Sequence, residues 1–163
     1  MKLNTLLASA PMMLFCVSVL GAPAKLSPAD EGAAFKAAGF KLKGKQWRGC
    51  DGDPSASSTP GAVGEVRDVN GDGLPEVVLT EGGTFCYGNT GEGYVLVSKQ
   101  ANGSWKVITN GTGIVTFLNT NGAGGWPDIQ VGGPGFCFPV QRWNGKEYVL
   151  QRHQYEGKPC RRK

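Results

Sequence analysis

The chain is short of the residues from which most catalytic and metal centres are built. It has a single histidine, His153, and none of its five cysteines forms a Cys-x-x-Cys pair. Zinc modules draw their ligands from such groups, so the cysteines read as disulfide partners instead. Charge is also sparse: 18% of residues are charged and the formal net charge is only +4. No dense basic stripe with interleaved aromatics is present, which argues against a nucleic-acid partner. The terminal run Arg161-Arg162-Lys163 reads as a solvated tail. Beyond residue 20 no apolar run is long enough to span a bilayer. His153 beside Tyr155 and scattered serines form no acid-base or nucleophilic arrangement, so the chain does not read as an enzyme. A carboxylate pair for sugar hydrolysis is the remaining enzymatic alternative.

Lys2, the apolar run Leu6 to Leu20 and then Ala22-Pro23-Ala24 read as a secretory signal over residues 1–24. An uncleaved anchor is the alternative, but Pro11 interrupts a run that is already short. Bulky Met13, Leu14 and Phe15 before Cys16 argue against a lipidation site. Cleavage would take the formal charge from +4 to +3 and leave one domain, residues 25–163, with Cys50, Cys86, Cys137 and Cys160. An even cysteine set in an exported chain predicts two disulfides.

One segment predicts a helix, at about 28–38. Ser27 is placed as N-cap, Pro28 in the first turn, Asp30 and Glu31 near the positive end and Gly39 at the stop. Ala34, Phe35 and Ala38 would form its buried stripe. From Phe40 onward, short runs such as EVVLT, YVLVSKQ, IVTFL and EYVLQRH alternate with Gly, Asn and Pro clusters, and the 26 glycines suit many turns. Asn-Gly at 102–103 and 144–145 marks two hairpins.

The chain also resembles itself. NGDGLPEVVLTEGGTFC (70–86) and NGAGGWPDIQVGGPGFC (121–137) keep the order Asn-Gly, Gly, Pro, acid, β-branched pair, paired glycines, Phe-Cys. FKLKGKQWRGC is a fainter copy of YVLQRHQYEGKPC. In an up-and-down meander, the cysteine after the first strand and the one after the third fall at the same sheet edge. The repeat therefore favours Cys50 with Cys86 and Cys137 with Cys160.

RDVNGDGLPEVV carries the chemistry. Counting Asp68 as position one, oxygen-bearing side chains fall at one, three (Asn70), five (Asp72) and nine (Glu76), with Gly73 at six and the Leu74 carbonyl at seven. Such spacing suits a Ca²⁺ ion, which takes six to eight oxygens. It is not an EF-hand, since Leu79 stands where the bidentate Glu belongs and strands flank the loop. An Asx-type turn in front of a strand is the alternative.

The loop is similar to the Asp-x-Asn-x-Asp-Gly-x-x-acid loop of FG-GAP and VCBS-type repeat proteins. That resemblance implies a calcium-binding role for Asp68, Asn70, Asp72, Leu74 and Glu76, and a propeller-like antiparallel β-repeat domain of two to two and a half units. A small sandwich or barrel is the alternative fold. In the second copy the aligned residues are Asn119, Asn121, Ala123 and Asp128, and no ion is expected there. Asp51 and Asp53 read as part of a flexible Ser- and Pro-rich loop, with a reach to the same ion the alternative.

Trp126, Phe136 and Phe138 in the Gly-Pro-rich stretch, and Tyr87 and Tyr94 around YGNTGEGY, are candidates for a recognition surface; for the first three, filling the space between repeat units is the favoured reading and an exposed rim the alternative. The composite expectation is an exported, calcium-stabilised binding module of the bacterial envelope that recognises a protein. An inhibitor or immunity protein against a cell-wall lytic enzyme, or a secreted hydrolase or carbohydrate-active domain, are the other readings.

Overall fold

A computed structural model describes residues 25–161. Residues 1–24, read above as a secretory signal, lie outside the described residues, as do Arg162 and Lys163.

Helix α1 spans Pro28–Ala37, and the Ser27 side chain accepts the Asp30 N–H at its start. Eleven strands follow: β1 (Lys41–Lys43), β2 (Gln46–Arg48), β3 (Thr59–Arg67), β4 (Glu76–Gly82), β5 (Glu92–Lys99), β6 (Trp105–Thr112), β7 (Ile114–Asn121), β8 (Pro127–Gly132), β9 (Phe138–Trp143), β10 (Tyr148–Tyr155) and β11 (Lys158–Pro159). A one-turn helix α2, Thr84–Tyr87, separates β4 from β5.

The strands form two antiparallel meanders, β1-β2-β3-β4-β5-β6 and β11-β10-β9-β8-β7, joined through Gly113. One of the two is curled like half a barrel. Antiparallel neighbours need only short turns, which the Asn-Gly pairs at 102–103 and 144–145 provide between β5 and β6 and between β9 and β10. The same order recurs in both sheets. A loop follows the first strand of β3–β6 and of β7–β10, and a cysteine, Cys86 or Cys137, lies between the second and third.

β4 buries the consecutive residues Val77, Val78 and Leu79 because the first sheet is covered on both faces there. Val77 and Leu79 turn to α1, where they meet Ala34, Phe35, Phe40, Val97 and Trp105. Val78 turns the other way, into a second core with Tyr94, Leu96, Trp126 and Trp143 between the sheets. Phe35 anchors the helix, stacked on Trp47 at 5.1 Å and edge-on to Phe40 at 5.2 Å. Its complete burial is worth about 1.5–3 kcal/mol. The Lys99 ammonium reaches Asp30 at 2.8 Å and ties the first helical turn to the end of β5.

Cys50 is bonded to Cys86 and Cys137 to Cys160. Both bonds join a cysteine that lies after the second strand of β3–β6 or of β7–β10 to one that follows a short terminal hairpin, β1-β2 or β10-β11.

Candidate functional site

The loop from Asp68 to Pro75 joins β3 to β4 and is closed on its own amides. The Asp68 carboxylate accepts the N–H groups of Gly71, Asp72 and Gly73 at 2.7, 3.1 and 2.9 Å. Asn70 Oδ1 accepts the Asp72 N–H at 3.0 Å, and Asp72 Oδ1 accepts the Leu74 N–H at 2.8 Å. Asp68 and Asp72 are exposed, Asn70 and Leu74 half-buried. Glu76, the first residue of β4, is 1% exposed. Its two oxygens accept the Val69 N–H at 2.9 Å and the Ser98 hydroxyl at 2.8 Å. Burial pushes its carboxyl above the usual range. The two hydrogen bonds offset part of that, and the charges of Asp72 and Asp68 add to it. No ion pair of the described residues reaches Asp68, Asp72 or Glu76.

This donor set is all oxygen, the chemistry that Ca²⁺ prefers. Its present geometry is that of a self-bonded turn. Among the described residues no three His, Cys, Asp or Glu side chains converge as a metal cage. A cation here would compete with the loop amides for the Asp68 and Asp72 oxygens.

The corresponding position in the second sheet is solved differently. Asp128 follows Pro127 at the start of β8 as Glu76 follows Pro75, and it is 0% exposed. Arg142 grips it through two bonds of 2.8 and 2.9 Å, and Arg152 adds a third at 3.1 Å. The Thr120 hydroxyl donates a fourth at 2.6 Å. Burial alone would raise the Asp128 pKa, but the Arg142, Thr120 and Arg152 bonds and the Arg142 charge outweigh it and hold it at about 2. Sequence reasoning missed this triad because Arg142 and Arg152 lie 14 and 24 residues from Asp128 and meet it only through strand pairing.

The two loops touch. Gly125, at φ +79°, lies against the first loop so closely that a Cβ would stand 2.7 Å from the Asn70 carbonyl oxygen. Val69 belongs to the core between the sheets. The acidic loop therefore forms part of the inter-sheet joint. Asp51 and Asp53 lie at the opposite end of β4. Asp51 pairs with Lys43, and Asp53 packs against Gly83, so neither approaches Glu76.

Two of the candidate aromatics are core, Trp126 in keeping with the core-filling reading and Tyr94 against the surface-loop reading. Trp126 is 9% and Tyr94 3% exposed, packed between the sheets where Trp126 meets Trp143 at 5.4 Å. The reason is strand alternation: Tyr94 shares a face of β5 with Leu96, and that face is covered by the second sheet. Tyr87 is half-buried, its hydroxyl donating to Glu81 at 2.8 Å. Burial and then this bond push its pKa up.

Phe136 is the exposed member of the set at 76%, with Phe138 half-buried beside it. Tyr155 joins them, its ring 6.2 Å from each, a partner that the sequence did not reveal. Between the two phenylalanines, Cys137 has φ +67°, a left-handed conformation that a residue with a Cβ adopts at a cost, and it is held there by the bond to Cys160. His153 is a half-buried residue of β10.

No family model matches this chain, and no curated protein and no solved structure is significantly similar to it.

Proposed function

We propose that this chain is an exported binding module of the bacterial envelope, stabilised by one Ca²⁺ at Asp68, Asn70, Asp72, the Leu74 carbonyl and Glu76, and that it recognises another protein. One observation carries the calcium reading: a buried carboxylate, Glu76, stands beside Asp68 and Asp72 with no cationic side chain, whereas its counterpart Asp128 has two arginines. A bound divalent cation would supply to the first loop the positive charge that Arg142 and Arg152 supply to the second. Export is supported by the two disulfides, which suit an oxidising compartment. No helix among the described residues is long and apolar enough to cross a membrane. The protein partner is supported by the aromatic cluster of Phe136, Phe138 and Tyr155, which the Cys137–Cys160 bond braces at low conformational cost.

The test is a melting curve of the oxidised chain in 10 mM CaCl₂ and in chelator, for wild type and Asp72→Ala. Extracellular sites bind with Kd of about 10⁻⁴–10⁻³ M, so calcium at this level adds roughly 1.4–2.7 kcal/mol, or several degrees in Tm. Asp72→Ala removes that response. Identical wild-type curves with and without chelator reject the calcium site. Capture of envelope proteins on the folded chain, repeated with Phe136→Ala, tests the recognition surface. A partner retained equally by both would place recognition elsewhere.

A further inference from the structure

The helix-side face of the first sheet changes character along its length. On β5 the residues facing α1 run Val97, Val95, Gly93, and their partners on β6 run Val107, Asn110, Thr112. The valines pack under the helix. Past the helix end the face shrinks to glycine and short polar side chains, and a cavity of about 330 Å³ opens there, bounded by Phe40, Gly49, Tyr87, Gly93, Asn110 and Thr112. An opening of this size matches the lower size range, about 300–1,000 Å³, of small-molecule sites.

Its walls are fixed. The Tyr87 ring lies directly on Gly93, where a Cβ would collide with it. The Tyr87 hydroxyl is held by Glu81, whose two oxygens also take the N–H of Gly49, each at 3.1 Å, and that of Cys50 at 2.7 Å. The Cys50–Cys86 bond braces the same rim. Glu81 is thus fully engaged behind Tyr87 and only 2% exposed, and no charged side chain of the described residues lines the cavity. One wall is aromatic, Tyr87 with Phe40. The other presents the Asn110 amide and the Thr112 hydroxyl, both on exposed residues.

We propose that this cavity binds one neutral sugar ring. Such a ring has an apolar C–H face to lay against Tyr87 and Phe40 and edge hydroxyls to exchange hydrogen bonds with Asn110 and Thr112. A charged ligand would find no counter-ion, and a purely apolar one would strand the amide and hydroxyl. The site is separate from the Phe136 surface and from the acidic loop, so it stands or falls independently of both.

The test is a two-dimensional amide NMR titration of the oxidised chain with methyl glucoside and with N-acetylglucosamine, with glucuronate and glucosamine as charged controls. The expected result is saturable shifts at Gly93, Asn110, Gly111 and Thr112 for a neutral sugar, with Kd on the order of 1 mM for so small a ligand. Charged sugars bind about tenfold more weakly, and Asn110→Ala with Thr112→Val weakens the neutral sugar by about tenfold or more while amide dispersion stays native. The trisaccharide of N-acetylglucosamine is a further arm, because its binding alongside the monosaccharide identifies a glycan end and its failure identifies a free sugar. Absence of saturable shifts up to about 50 mM with either neutral probe, shifts confined to other residues, or undiminished binding to the double variant overturns the proposal.

Discussion

Asp128→Asn isolates one buried charge, because the substitution keeps the side chain's shape and changes only its ionisation and one acceptor atom. At neutral pH it leaves Arg142 and Arg152 without their carboxylate and sets an amide N–H against a guanidinium. Breaking a buried ion pair costs about 3–5 kcal/mol. The arginine side chains are 36% and 31% exposed and recover hydration, which reduces the figure to roughly 2–3 kcal/mol. The fall of the Asp128 pKa from its ordinary 3.8 to about 2 gives a similar size, about 2 kcal/mol. The sign follows from linkage. A carboxyl whose folded pKa is depressed contributes stability that is present above the unfolded value and lost as pH falls through the folded one. Wild type therefore loses about 2 kcal/mol at this site between pH 5 and pH 2, and the variant has nothing there to lose. The assay is urea unfolding of both proteins across that range, where the other carboxylates titrate alike in both. The stability gap of about 2–3 kcal/mol at pH 7 should close by about 2 kcal/mol at pH 2. A gap that is absent at pH 7, or constant with pH, would refute the triad as the support of Asp128.

Two further substitutions test the reading of the joint and of the aromatics. Gly125→Ala forces a Cβ to within 2.7 Å of the Asn70 carbonyl oxygen at φ +79°, and urea midpoints should fall by the equivalent of about 1–3 kcal/mol; an unchanged midpoint would show that the loops do not press on each other. Trp126→Ala empties the core between the sheets and should cost about 3–5 kcal/mol in the same assay, whereas Phe136→Ala, exposed in the native state, should stay within about 0.5 kcal/mol. Equal losses for the two would contradict the assignment of one to the core and the other to the surface.

Much of the local structure was legible because local signals decide it. Ser27, Pro28 and Gly39 delimit α1 through capping and backbone geometry, which act over a few residues. The strands after Phe40 are set by runs of β-branched and aromatic residues between turn-formers, and the Asn-Gly pairs mark two of their hairpins. The cysteine pairing followed from the same periodicity, since a meander brings every second turn to one edge. The acids at 68, 72 and 76 were recognisable by spacing because one tight turn gathers them.

What was not legible depends on which face of a strand is covered. Core filling is the favoured reading for Trp126 and Phe136 alike, and a surface loop that for Tyr94, yet the second sheet lies over the face that carries Tyr94 and Trp126 and buries both, while Phe136 on the next turn stays in water. The Asp128–Arg142–Arg152 triad joins residues on three strands, and no local pattern distinguishes arginines that find a buried carboxylate from those that end in solvent. The cavity at the end of α1 exists because a helix stops where the sheet beneath it turns from valine to glycine, a coincidence of two distant segments. The sequence by itself determined the elements, their turns and the acidic loop, because those are governed by interactions within a few residues. Tertiary structure alone decided which aromatics are core, which acid has an arginine and where a ligand has room, because burial is a property of what lies opposite a residue and not of its neighbours in the chain.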